Sequence, residues 1–309
     1  MKPAFVFSGQ GAQKVGMGKE LFEQSAAAAK VYAEADSVLD WKVSELCFSG
    51  PEEKLTESRY CQVAIFVTSM ACLAAFREKY PDVRPVGAAG LSLGEYGALC
   101  CAGYFRFPDA LRLVARRAEL MDAACRAEAG TMASILTNGT TPADVFAQVC
   151  SECGIDVANF NSPAQTVISG TADGVAKASA ILKDKEGVRR IIPLNVAGAY
   201  HSRMMAGAGE QLRPVLETVP VAKNEVPVAQ NFTGKVTEDY TQIRENLVRQ
   251  VAGSVRWVDC VQSLSALGAD TFIEFGPGTV LTGLIKKIDA TKTTWNVSSA
   301  EDLNKLELQ

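Results

Sequence analysis

Residues 85–96 read Pro85-Val86-Gly87-Ala88-Ala89-Gly90-Leu91-Ser92-Leu93-Gly94-Glu95-Tyr96. A short apolar run ends here in a tight turn, and a helix leaves from about Gly94. Inside the stretch, Gly90-Leu91-Ser92-Leu93-Gly94 has the G-x-S-x-G pattern. The need for glycine is steric. Serine at a sharp strand-to-helix turn is held in a strained backbone conformation, and large side chains two residues to either side would collide. The turn exposes the hydroxyl, and the helix behind it aims backbone N–H groups and a positive dipole end at the reaction centre. The same pattern also fits an ordinary strand-helix turn; the apolar run before it and the helix after it supply the context.

Outward from this turn, strands and helices alternate. Residues 4–7 predict a strand followed by a Gly-rich loop, and 63–80 an apolar helix beyond a polar connection at Ser49-Gly50-Pro51. Residues 271–275 predict a buried strand, which Gly276-Pro277-Gly278 turns into a helix carrying Leu281, Leu284 and Ile285. Alternation of this kind predicts a parallel sheet with helices on both faces. From about Glu128 the rhythm changes: strand 131–136, helix to about Cys153, strands 155–159 and 165–169 joined through Asn161-Ser162-Pro163, helix 172–185, strand 188–194. That order is the β-α-β-β-α-β, ferredoxin-like unit. The expected fold is therefore α/β, a large α/β-hydrolase-like domain (1–127 and 197–309) with a small ferredoxin-like domain (128–196) inserted.

Composition narrows the chemistry. The chain has 309 residues, 48% hydrophobic and 21% charged, ordinary for a globular protein of about two domains. A net charge of −4 carries no broad basic excess for nucleic acid. The N-terminal apolar run is too short for a signal peptide, and no run approaches the ~18 uninterrupted apolar residues of a membrane helix. A cytoplasmic location is expected. The nine cysteines are scattered through apolar segments, where free Cys acts as a small hydrophobe. Cys150 and Cys153 have redox-motif spacing without a preceding strand, and one histidine in the chain cannot complete a common zinc site, so no metal is expected.

A serine needs a base, and the single histidine is His201, in Gly198-Ala199-Tyr200-His201-Ser202 at the return from the inserted unit. If imidazole activates Ser92, His201 supplies it; alone, it would read as a histidine without a role. Arg116 and Arg117 lie on a helix with Leu113, Val114 and Met121, and spacing leaves either open as a solvated charge.

The sequence resembles the malonyl-CoA:acyl carrier protein transacylase family over nearly its whole length. The residues that carry the likeness are Phe7-Ser8-Gly9-Gln10-Gly11-Ala12-Gln13, Val15-Gly16-Met17-Gly18, the turn from Gly90 to Tyr96, and Arg117 with Met121. Further along are Asn161-Ser162-Pro163, Val167-Ile168-Ser169-Gly170, Tyr200-His201-Ser202, Gln250, Val255-Arg256-Trp257 and Glu274-Phe275-Gly276-Pro277-Gly278. The resemblance implies Ser92 as nucleophile, forming a malonyl ester, and His201 as the base, oriented by the backbone carbonyl of Gln250. It implies an oxyanion site at the backbone N–H groups of Gln10 and Leu93, with losses of ~10²–10³ in rate typical when one such donor is removed. Arg117 would hold the malonyl carboxylate through paired N–H bonds, and Met121, Asn161 and Tyr200 would line the substrate pocket.

Malonyl-CoA is then the substrate, no cofactor is bound, and the phosphopantetheine thiol arrives on a transient partner, the acyl carrier protein, meeting a monomer. Carrier proteins of this kind are acidic, so docking on a net-negative enzyme calls for a local basic patch: Lys286-Lys287, favoured, or Arg189-Arg190. Departures from the family pattern are Leu91 where it usually has His, Tyr200 where Phe is common, and Ser8 and Val63 where it often has Pro. Competing functions are a discrete acyltransferase of a polyketide pathway, a serine esterase, whose third member would usually be Asp or Glu, and a non-catalytic carrier-binding scaffold.

Overall fold

The structure, a computed structural model, describes residues 1–222, 226–237 and 239–306. Its strands are β1 (Pro3–Phe7), β2 (Gly87–Gly90), β3 (Thr131–Thr137), β4 (Asp156–Ser162), β5 (Gln165–Gly170) and β6 (Val188–Pro193). The two-residue β7 (Ala229–Gln230) and β8 (Lys235–Val236), then β9 (Thr271–Phe275) and β10 (Thr293–Val297), complete them. A four-stranded parallel sheet runs β10-β9-β1-β2. Along β1, Phe5 and Phe7 pack into one core layer and Ala4 and Val6 into the other, because successive strand residues point to opposite faces. Both faces are thus covered, as a parallel sheet requires. In register, Phe7 stands opposite Gly90 on one side and Phe275 on the other. The loops after β1, β2 and β9 therefore leave the sheet together at its carboxyl edge, where α/β folds build their sites.

The second sheet is antiparallel, ordered β4-β5-β3-β6, with helices Ala143–Glu152 and Ala172–Lys183 as its crossovers. This is the ferredoxin-like unit expected from the strand-helix order. Two backbone bonds and one side-chain bond join it to the segment after helix Tyr240–Ala252: Phe160 N–H to Val255 O at 2.9 Å, Val255 N–H to Ala158 O at 2.8 Å, and Ser254 Oγ to Val157 O at 2.6 Å. Strand β4 is longer than its apolar residues suggest, because Asn159, Asn161 and Ser162 continue it past two register shifts.

The apolar helix is Ser58–Lys79, starting five residues before the expected position 63. Its first turns carry Ser58 and Gln62, polar residues ahead of the apolar run that border the cleft described below. By length and composition this helix is apolar enough to cross a membrane, although polar residues interrupt its apolar run; 83% of the apolar window is buried inside the protein. It is a core helix.

Candidate active site

The turn after β2 has the geometry its glycines demand. Ser92 has φ 54°, a left-handed conformation that costs a non-glycine residue about 1–2 kcal/mol. A Cβ on Gly90 would lie 1.9 Å from the carbonyl carbon of Gly94, and one on Gly94 would lie 2.0 Å from the Phe7 oxygen. Neither position admits any side chain. Leu93 heads the helix Gly94–Cys101 immediately after the serine.

Ser92 Oγ lies 2.7 Å from His201 Nε2, and His201 Nδ1 lies 2.9 Å from the backbone oxygen of Gln250. A carbonyl only accepts, so Nδ1 carries the proton and Nε2 presents its lone pair to the serine hydroxyl. His201, φ 57°, is also left-handed, in a turn tied by Ser202 Oγ to Ala199 O at 2.7 Å. Burial, reinforced by the nearby Arg117 cation, pushes the His201 imidazole down from its usual 6.5 to about 4. The ring therefore stays neutral, and able to accept, through the physiological range.

The two neighbouring arginines part ways. Arg116 is exposed and pairs with Glu119 at 3.0 Å across solvent. Arg117 is 1% exposed. Its Nη1 donates to Gln62 Oε1 at 2.5 Å, and its Nη2 donates to Ser92 Oγ at 2.9 Å and to Gln250 Oε1 at 3.1 Å. Its Nε is buried without a partner. Burial lowers the guanidinium from its usual value, while Tyr96 and Glu95 act to raise it.

These groups open on a cleft of about 590 Å³ between the two sheets. Gln10 and Leu93 line it beside Ser92, Met121 lies on the arginine's helix, Asn161 on β4, and Tyr200 next to His201. The Asn161 Oδ1 atom is buried and unpaired. The Tyr200 hydroxyl meets Ser58 Oγ at 2.5 Å, and Gln10 Nε2 donates to the same Ser58 oxygen at 3.2 Å. Lys286 and Lys287 are exposed in the last turn of helix Val280–Ile288, whose Val280 and Leu284 reach the cleft; Lys286 Nζ donates to Lys292 O at 2.6 Å. Arg189 and Arg190 are exposed on β6.

Among the described residues no group of three or more His, Cys, Asp or Glu gathers as a metal site would need. Cys150 is buried, which pushes its thiol up to about 12, away from the low values of redox-active cysteines. Sequence reasoning missed four polar residues of the site: Ser58, Gln62, Glu95 and Asn231. Glu95 directly follows the elbow; nothing in the local pattern marks the other three, whose partners lie far away in the chain.

A strained serine, a neutral imidazole and a buried arginine at one cleft suit acyl transfer, and the class of the chain is acyltransferase by family. The acyl transferase domain family matches residues 4–306. A malonyl CoA-acyl carrier protein transacylase of Bacillus subtilis is 42% identical over 304 residues, spanning 98% of this chain and 95% of that protein. An acyl carrier protein S-malonyltransferase of Vibrio cholerae superposes with a TM-score of 0.93 at 35% identity, covering 99% of this chain and 100% of the other. A malonyl-transacylase solved with a type II polyketide synthase acyl-carrier protein gives a TM-score of 0.92 at 35% identity, with 98% of each chain covered. The chain belongs to the malonyl CoA-acyl carrier protein transacylase family.

Proposed function

We propose that this chain transfers malonyl groups from malonyl-CoA to the phosphopantetheine thiol of an acyl carrier protein, through an ester on Ser92. The observation that carries the reading is the position of Ser92 Oγ, 2.7 Å from His201 Nε2 and 2.9 Å from Arg117 Nη2. The hydroxyl gives its proton to Nε2 as Oγ attacks the thioester carbonyl, with the Nδ1 proton held on Gln250 O throughout. Negative charge gathering on the carbonyl oxygen meets the N–H groups of Gln10 and Leu93. As the C–S bond breaks, Nε2 returns the proton to the departing coenzyme A sulfur. In the second half Nε2 takes the proton of the carrier thiol, whose sulfur attacks the ester, and Ser92 leaves with that proton.

Arg117 meets the malonyl carboxylate, using donors such as its unpartnered Nε–H. A buried cation in the acyl pocket and a carbonyl as third member of the triad both favour this reading over an esterase. Malonyl delivery to fatty acid synthesis is the route favoured. A polyketide pathway is the second reading, favoured by a relative named polyketide biosynthesis protein ThaF in Burkholderia thailandensis, 38% identical, of which the chain covers 24%. We read 128–196 as a domain inserted between 1–127 and 197–309, bearing one wall of the cleft. Every group used here comes from one chain, so a monomer suffices, working in the cytoplasm without a bound cofactor. The carrier protein docks at Lys286-Lys287.

Mixing the protein with malonyl-CoA and weighing it intact tests the chemistry. The expected result is one malonyl adduct, mapped to Ser92 and absent from Ser92→Ala. An adduct on a cysteine, or turnover by Ser92→Ala, would falsify it.

A further inference from the structure

The elbow that carries Ser92 is braced from outside its own motif. Asn231 follows β7, the short strand beside β2, and is fully buried. Its Oδ1 accepts the Ser92 backbone N–H at 2.6 Å, and its Nδ2 donates to Gly90 O at 2.7 Å. One carboxamide thus spans the turn from the last residue of β2 to the nucleophile. Its orientation is unambiguous, because an N–H must face Oδ1 and a carbonyl must face Nδ2. The backbone of Asn231 is pinned in turn. Its N–H donates to Glu95 Oε2 at 2.9 Å, and its oxygen accepts from Arg256 N–H at 2.9 Å. Glu95, 0% exposed, also receives Gln230 Nε2 at 3.0 Å and Gln250 Nε2 at 2.9 Å.

We propose that Asn231, held by Glu95, is a positioning residue that fixes Ser92 in its left-handed conformation and thereby sets the attack geometry. Two consequences separate it from Arg117. Asn231 touches the nucleophile's backbone rather than the acyl pocket, so it governs the rate of attack and not the choice of acyl group. It also occupies the Ser92 N–H, which leaves the next N–H, that of Leu93, to face the developing oxyanion. The proposal rests on Ser92 being the nucleophile, as argued above.

The test is Asn231→Ala, followed by single-turnover acylation of Ser92 at saturating malonyl-CoA and at saturating acetyl-CoA. Folding is checked by circular dichroism. Displacement of a reacting group by about 1 Å costs on the order of a hundredfold, so acylation should slow roughly a hundredfold for both donors. The half-saturating concentration of malonyl-CoA and the malonyl-to-acetyl ratio should stay as in wild type, because Arg117 keeps Gln62 and Gln250. Wild-type acylation rates in the folded variant would overturn the proposal, as would a collapse of the ratio. If the variant does not fold, hydrogen exchange in the wild-type protein decides. The Ser92 amide should be protected by its bond to Asn231, and exchange at the rate of an open loop would overturn the assignment. A wild-type protein that acquires no malonyl adduct would instead remove the functional reading while leaving the exchange result standing.

Discussion

Every residue of β1, β2 and β9 is buried, whereas β6 exposes Arg189, Arg190 and Pro193 and none of its residues is fully buried. The parallel sheet sits between two cores, and its registers run without interruption. The antiparallel sheet has register shifts in both its β3–β6 and β4–β5 pairings. Paired side chains gather behind the nucleophile. Behind Ser92, Asn231, Gln250 and Glu95 are bonded to one another across three segments of chain. On the antiparallel side, Asn161 Oδ1, Ser162 Oγ and Ser169 Oγ are buried without partners. The elbow is braced before any ligand arrives, whereas the cleft keeps hydrogen-bonding capacity on each side, Arg117 Nε on one and Asn161 Oδ1 on the other. Chemistry demands fixed positions, and a wall that receives a substrate gains from donors and acceptors not already spent.

The largest effect should come from the side that carries Ser92. His201→Ala should slow both malonylation and transfer to the carrier thiol by on the order of 10³-fold or more. In the wild type, a neutral imidazole is required, and burial holds its protonation down to about 4 rather than 6.5. Activity should therefore persist as the pH falls below 6.5 and be lost only as it approaches about 4. An acid limb centred at the ordinary histidine value would mean that the ring is hydrated in solution, and the contrast between the walls would weaken. Initial acylation rates across this range measure it.

Next comes the acyl pocket. Arg117→Ala should lower the malonyl-to-acetyl ratio of kcat/KM by at least on the order of a hundredfold, since the substrate carboxylate would be buried without a partner. Arg117→Lys should recover part of it, because an ammonium cannot form the paired contact. An unchanged ratio in the alanine variant would move selectivity to the opposite wall.

The motif between 90 and 94 was legible because steric exclusion is local: the glycines and the serine stand within one turn. His201 was legible because no other imidazole competes with it. The resemblance, not spacing, separated Arg117 from Arg116; burial on one face of a single helix then distinguishes them physically. Asn231 and Gln62 were not legible, since each finds its partner across a long stretch of chain, at 139 and 55 residues respectively. Ser58 and Gln62 open their helix ahead of the apolar run that begins at 63. Polar residues lining a cleft interrupt the apolar periodicity that marks the rest of their element.

The smallest effect belongs to the rim, and it asks which wall the carrier protein approaches. Reversing Lys286 and Lys287 to Glu should raise KM for the carrier protein a few-fold, as rim charges contribute modestly, and reduce its salt dependence. Turnover with a small pantetheine thiol should be unchanged. The same reversal at Arg189 and Arg190 should leave both reactions alone. The opposite outcome would assign docking to the antiparallel sheet.

A chain with one histidine carries its own spectroscopic label. Any imidazole resonance in this protein comes from the ring beside Ser92, with no background to subtract and no isotope placement to design. The ring's two carbon-bound protons, on Cε1 and Cδ2, would follow acylation, deacylation and carrier docking in the native sequence, one event at a time.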